Sequence, residues 1–292
     1  MTQKTLKLYN SLSFFFSCDI FFLVIFMEQY NVRFKKKFGQ NFLKRRAVVE
    51  RIASTCPLTK NDLVIEVGPG GAILTQELAK RCGNVLAYEI DEDLKEELSR
   101  KLYEYDNVKV LFGDFLNSDI SKDISQFSYE NLYFISNVPY YITTPIMMKI
   151  VESNLNFQKV CMMVQKEVGE RFSAKPGNRE YSSISVFLSY FYDIKKEFLV
   201  SRREFVPVPN VDSVVISFTK KKELLPLKDK DLFFQLVRDS FQFKRKNIRN
   251  NLKKYNLDIV LSVLKKHGFD LTVRAEKLSV EIFVELANAL VL

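Results

Sequence analysis

The sequence predicts an α/β fold: a mostly parallel sheet, a closing antiparallel hairpin and a small all-helical C-terminal domain. Three observations predict it. Short β-branched runs alternate with helical patterns from residue 60 onward, which is the mark of βαβ units. After about residue 192 two strand-like runs are joined by a proline-bearing loop in place of a helix. Beyond "LLPLKDK" the pattern is helical to the end.

In chain order, "LSFFFSCDIFFLVIFM", from Leu12 to Met27, is an apolar run behind Lys4 and Lys7. It lacks a small-x-small cleavage site, Asp19 interrupts it, and it is short for a membrane span. Residues 1–30 are therefore expected to be a leader outside the fold. A targeting or anchoring segment, a packed helix and translated sequence upstream of a start at Met27 are the three readings. The last is preferred because "MEQYNVRFKKKFGQNFL" begins like a cytosolic protein. A cytoplasmic protein without a stable membrane partner is expected.

The predicted strands are "DLVIEV", "NVLAYEI", "NVKVLFG", "NLYFIS" and "KVCMMVQ", with helices from about Ala72 and through "DLKEELSRKL". Ligands of such sheets bind beyond the carboxyl ends of the strands. That rule puts Gly68 to Gly71, Glu89, Asp114 and Asn137 on one rim. "IKKEFLV" and "SVVISFTKKK", joined by "FVPVPNVD", form the closing hairpin. Helices are expected near 229–242, 245–254, 257–267 and 279–290. A boundary near residue 222 divides a domain at 31–222 from a helical one at 223–292.

The net charge of +9, from 44 basic and 35 acidic residues, is concentrated in two acid-free windows. One holds Arg33, Lys35, Lys36, Lys37, Lys44, Arg45 and Arg46; the other holds Lys244, Arg245, Lys246, Arg249, Lys253 and Lys254. Without these 13, the remaining 31 basic and 35 acidic residues leave −4. Two basic patches on a mildly acidic body point to a polyanion such as nucleic acid; a solvated charge run is the plainer reading. Cys18, Cys56, Cys82 and Cys161 are scattered and read as free thiols in a reducing compartment. With His267 as the one histidine, and placed before a helix-ending glycine, no metal site is expected.

"VIEVGPGGAILT" is a strand, a glycine-rich turn and a helix. A dinucleotide fingerprint would need glycine where Ile73 stands, and Pro69 removes an amide from the turn, which disfavours a pyrophosphate. Glu89, 21 residues after Gly68, can accept both ribose hydroxyls of a nucleoside, or simply be an acid at a helix N-terminus beside Asp91. Asp114 can accept from an adenine amino group. Together they describe a site for a nucleoside without a phosphate chain, which S-adenosylmethionine fits. In "ISNVPYYITTP", Asn137 offers an amide oxygen, the Pro139 segment a carbonyl and Tyr140 a stacking face. These suit an exocyclic amino group on a flat base. Methylation at cytosine C5 would need a cysteine after the proline, where Tyr140 stands.

The motifs "FGQNFL", "VIEVGPG", "YEID", "GDF", "NVPYYITTPI", "QKEV", "FVPVPNVDS", "KRKNIRNNL" and "RAEKLSV", in this order, resemble those of the ribosomal RNA adenine dimethyltransferases of the KsgA type. The resemblance covers about residues 33 to 290 and implies a Rossmann-like class I methyltransferase sheet with an RNA-binding helical domain. It implies an S-adenosyl-L-methionine site made by Asn41, Leu43, Gly68, Glu89, Asp114 and Asn137. It further implies a target adenine stacked on Tyr140, beside Pro139, and on Phe205. RNA contacts are expected from Lys35, Lys36, Lys37, Arg45, Arg46, Lys244, Arg245, Lys246 and Arg249. Val138 departs from the common leucine, and Tyr141 stands where asparagine is frequent; neither removes an acceptor. The leader has no counterpart.

The expected activity is N6,N6-dimethylation of two adjacent adenosines near the 3′ end of small-subunit (16S) ribosomal RNA, by a monomer acting on that RNA or on a precursor of the small subunit. "TTPI" and "RAEKLSV" favour this over a resistance-type methylase of large-subunit RNA. A non-catalytic RNA-binding assembly factor would not need the donor pocket of Glu89, Asp114 and Asn137. A nicotinamide dehydrogenase is disfavoured by Ile73.

Overall fold

A computed structural model describes residues 42–291 of the 292. The leader, Lys35, Lys36, Lys37 and Asn41 lie outside the described residues. A two-residue strand β1 (Phe42–Leu43) is followed by helix α1 (Arg46–Ala53). The main sheet then starts with β2 (Asp62–Val67), buried along its whole length. Strands covered on both faces read as continuous apolar runs, and "DLVIEV" is such a run apart from its acids.

Helix α2 (Ile73–Arg81) leads to β3 (Asn84–Glu89), and α3 (Lys95–Lys101) to β4 (Val108–Phe112). After the short α4 (Ile120–Ile124) the chain returns to the middle of the sheet as β5 (Asn131–Asn137). Helix α5 (Thr143–Glu152) then leads to β6 (Phe157–Gln165). Helices α6 (Lys166–Phe172) and α7 (Ser183–Phe191) precede β7 (Tyr192–Val200), the short β8 (Phe205–Val206) and β9 (Ser213–Lys220).

The seven-stranded order is β4-β3-β2-β5-β6-β9-β7. The first five strands are parallel to one another, and β9 is antiparallel to both of its neighbours. The predicted hairpin is therefore present, with the returning strand β9 inserted between β6 and the edge strand β7. From β2 the chain winds outward to β3 and β4, then re-enters on the other side at β5. A crevice opens at such a reversal, beyond the carboxyl ends of the strands. It lies where β2 ends at Val67, β3 at Glu89 and β5 at Asn137.

The C-terminal helices α8 (Lys230–Ser240), α9 (Ile248–Asn251), α10 (Leu257–Lys266) and α11 (Val280–Leu290) continue the core of one sheet face. Aromatic pairs make the join: Phe187 and Phe234 have ring centroids 4.6 Å apart, Tyr190 and Phe233 5.1 Å. Asp229 and Asn256 cap α8 and α10 by accepting backbone N–H groups of the first turn.

The helix predicted over 245–254 is reduced to the four residues of α9. It starts at the Asn247 cap, whose side chain accepts from Asn250 N–H, and its first N–H groups, which no helix satisfies internally, donate outward: Ile248 to Val273 O at 2.8 Å and Arg249 to Leu271 O at 3.0 Å. Upstream, the N–H of Lys246 closes a turn on Phe243 O at 2.8 Å. His267 caps the end of α10 and pairs with Glu285 across 2.7 Å, a structural role.

Candidate active site

The donor side of the crevice is a glycine turn braced by a carboxylate. Gly68 has φ +76°, and its N–H donates to Tyr88 O at 2.8 Å, tying the turn after β2 to β3. A Cβ at Gly68 would stand 3.4 Å from the Pro139 ring, which places the turn after β2 close to the loop after β5, while the positive φ is what calls for glycine. Glu89 accepts from Gly70 N–H at 3.2 Å and from Asp91 N–H at 2.9 Å. The carboxylate that closes β3 thereby holds the neighbouring turn in shape. Burial pushes its pKa up, and the two amides oppose that shift.

Asp114 ends the loop after β4 and caps the 3-10 turn at Phe115–Asn117, accepting from Leu116 N–H at 2.9 Å. Its other oxygen accepts from the Asn117 amide at 2.8 Å. Each carboxylate oxygen carries more than one lone pair, so these bonds fix Asp114 while leaving it able to accept from a ligand.

The acceptor side is built from the end of β5. Ser136 donates its hydroxyl to Val67 O at 2.6 Å, pinning β5 to β2 beside the crevice. Asn137 pairs in register with Met163 of β6, Val138 is buried, and a 3-10 turn at Tyr140–Ile142 follows Pro139. The Pro139 carbonyl is engaged by Ile142 N–H at 3.2 Å and by the Thr143 hydroxyl at 3.4 Å. The Tyr140 phenol shares a 2.7 Å hydrogen bond with Ser213, the first residue of β9. Tyr141 lines the crevice half exposed, and its phenol is pushed up by burial and by the charges of Asp114 and Glu89.

Leu43, Gly68, Glu89, Asp114, Asn137, Pro139 and Tyr140 thus line a single crevice. Phe205, expected to stack the base, is not among these lining residues. It is fully buried among Leu43, Val49 and Val200, and its backbone pairs with Leu43 in the small β1–β8 sheet. Among the expected RNA contacts, Arg45 pairs with Glu204 at 3.1 Å and Arg46 with Glu50 at 3.2 Å. Lys244, Arg245, Lys246 and Arg249 lie in the second basic window, and all four are exposed.

Sequence reasoning missed Glu66. This side chain is buried in β2, lines the crevice, and its Oε2 has no hydrogen-bond partner among the described residues. Burial pushes its carboxyl up to about 8, and the charge of Glu89 adds to the rise. The available signal was an acid inside an otherwise apolar buried strand. Ile90, 40% exposed beside Glu89, supplies an apolar wall for a flat ring and was also missed. Glu89 and Asp114 set two carboxyl groups on the crevice rim, an arrangement that suits a cation better than a phosphate chain. Among the described residues no group of three or more His, Cys, Asp or Glu side chains could hold a metal ion, and no helix is long and apolar enough to cross a membrane.

Comparison with known proteins agrees with this geometry. A sequence model of the family described as ribosomal RNA adenine dimethylase matches residues 31–291. A ribosomal RNA small subunit methyltransferase A of Streptococcus thermophilus is 39% identical over 276 residues, covering 90% of this chain and 94% of its own. The protein of the same name from Streptococcus pyogenes is 39% identical over 274 residues, with the same coverage. Among solved structures, a dimethyladenosine transferase from Plasmodium falciparum superposes with a TM-score of 0.70 at 25% identity, over 84% of this chain and 95% of that one. The 23S rRNA methyltransferase ErmE gives 0.66 at 28% identity, over 85% and 99%. The sheet order, the carboxylate-braced glycine turn facing Asn137 and Tyr140, and a family match over nearly the whole chain lead to one conclusion: the chain belongs to the ribosomal RNA adenine dimethylase family.

Proposed function

We propose that the chain dimethylates N6 of two adjacent adenosines near the 3′ end of small-subunit ribosomal RNA, using S-adenosyl-L-methionine. The observation that carries this reading is the contact of the two half-sites: Gly68 of the donor turn lies against Pro139 of the acceptor loop. A donor and an amine bound on either side of that contact are held for in-line transfer. S-adenosylmethionine supplies an electrophilic methyl group, so neither a covalent enzyme intermediate nor a metal is needed.

The residues fit such a group. Glu89 can take the ribose hydroxyls, Asp114 the adenine amino group and Ile90 the ring face. The carboxyl of Glu66, whose Oε2 has no hydrogen-bond partner among the described residues, would ionise beside the cationic methionine end, because a neighbouring positive charge favours the carboxylate. On the other side, the Asn137 amide oxygen accepts a hydrogen bond from the target amino group, which turns the N6 lone pair toward the methyl. Tyr140 supports the flat base after it leaves its stack. Orientation of this kind contributes on the order of 7–11 kcal/mol in well-aligned cases.

The division of labour follows the sequence: residues 31–222 carry the transfer and 223–292 hold RNA, with the basic windows on phosphates. A cytoplasmic monomer acting on the small subunit or its precursor completes the proposal. Incubation with methyl-labelled S-adenosylmethionine and undermethylated ribosomal subunits tests it. Label in small-subunit RNA supports the reading; label in large-subunit RNA, or in neither, contradicts it.

A further inference from the structure

The second basic window contains an aromatic side chain with no role in the fold. Phe243 is 56% exposed, the most solvent-open phenylalanine among the exposed large hydrophobics of the described residues, and it directly precedes Lys244, Arg245 and Lys246. An exposed phenylalanine on a frayed turn would mean little, but this one is held. Its N–H donates to the Asn251 side chain at 3.2 Å, and its carbonyl accepts from Lys246 N–H at 2.8 Å. Asn251 is itself buried and donates to Ser240 O at 2.7 Å, so a buried amide fixes the turn that presents the ring.

The surroundings are cationic. Lys244 Nζ donates to the backbone oxygen of Arg179 at 2.9 Å, which brings the exposed loop 175–180, with Lys175 and Arg179, to the same surface. That loop is anchored in turn by Gly177 N–H on Glu276 O at 2.7 Å. Of the acids nearby in sequence, Asp239 is taken up by Lys254 at 2.8 Å and by the Tyr255 hydroxyl, leaving Glu180 as the carboxylate of the loop. An exposed aromatic side chain on a braced turn, followed directly by three exposed cations, suits an unpaired nucleotide, since the ring can stack the base while the cations hold its phosphates. A duplex buries its base faces and cannot use the plate.

We infer that Phe243 and the cations around it form a subsite for an unpaired base of the RNA, separate from the crevice that takes the target adenine. The inference rests on RNA being the partner, and its test is chosen so that the two can fail apart. Binding of a short oligoadenylate carrying 2-aminopurine, and of a duplex of the same length, is measured across a salt series for the intact protein, Phe243→Ala, Phe243→Tyr and Lys246→Ala.

Phe243→Ala is expected to weaken single-strand binding on the order of tenfold at every salt concentration, without changing the salt slope or duplex binding. Phe243→Tyr keeps the affinity and the quenching of 2-aminopurine, and Lys246→Ala lowers the salt slope by about one phosphate. Single-strand binding by Phe243→Ala equal to that of the intact protein, or an equal loss on single strand and duplex, overturns the subsite. Failure of the intact protein to bind either RNA removes the RNA partner altogether.

Discussion

The phenol of Tyr140 and the hydroxyl of Ser213 lie 2.7 Å apart, so the aromatic plate beside Pro139 is tethered to the buried first residue of the antiparallel strand β9. The strand that closes the sheet therefore also sets the angle of the ring on which the target base is proposed to rest. Ser213→Ala is expected to lower kcat by up to about tenfold, the worth of one neutral hydrogen bond, with cofactor affinity unchanged. Tyr140→Phe is expected to do the same, and the double variant to be no worse than either single one. Additive losses in steady-state kinetics would separate the two residues.

Asn137 terminates β5 on the acceptor side of the crevice. Asn137→Ala is expected to retain RNA binding while losing roughly 100-fold in transfer, the scale of removing one pre-positioned polar group at a reacting centre. Filter binding alongside single-turnover transfer checks both halves. Equal turnover would remove Asn137 from the mechanism.

Glu66 makes stability depend on pH in the direction opposite to that of an ordinary surface carboxylate. Its carboxyl is raised from 4.5 to about 8 by burial, so between those values the folded chain keeps a proton that the unfolded chain has lost. Stability consequently falls as pH rises through that window, by on the order of a few kcal/mol for this group. Glu66→Gln carries no such charge. Its melting temperature relative to the native chain is expected to rise between pH 5 and 8 and then level off. A constant difference across that range would contradict burial as the cause.

Gly68 combines a left-handed backbone with the close approach to Pro139. Gly68→Ala is expected to cost about 1 kcal/mol from the backbone alone, lowering Tm by about 2–4 °C. A larger loss is expected in cofactor binding, because strain at φ +76° would disturb the turn whose Gly70 N–H contacts Glu89. Calorimetric titration with the cofactor reads the second effect, and an unchanged affinity would show that the contact is incidental.

Much of the fold was legible because the sheet is buried on both faces: β2, β3 and β5 read as short apolar runs that only a covered parallel sheet explains. The rim residues followed from strand ends alone, which is why Gly68, Glu89, Asp114 and Asn137 fall together. The burial of Phe205 was not legible from its motif, because it accompanies strand pairing with Leu43, far away in sequence. Glu66 was missed because an acid within "VIEV" could equally have faced solvent from a half-covered strand.

The central claim is that two adjacent adenosines of small-subunit RNA each gain two methyl groups at N6. Undermethylated small subunits treated with the protein and S-adenosylmethionine can be digested to nucleosides and their modified positions mapped. N6,N6-dimethyladenosine is expected at two neighbouring positions near the 3′ end, approaching two per subunit. N6-monomethyladenosine as the end product, a single modified position, or modification confined to large-subunit RNA would contradict it.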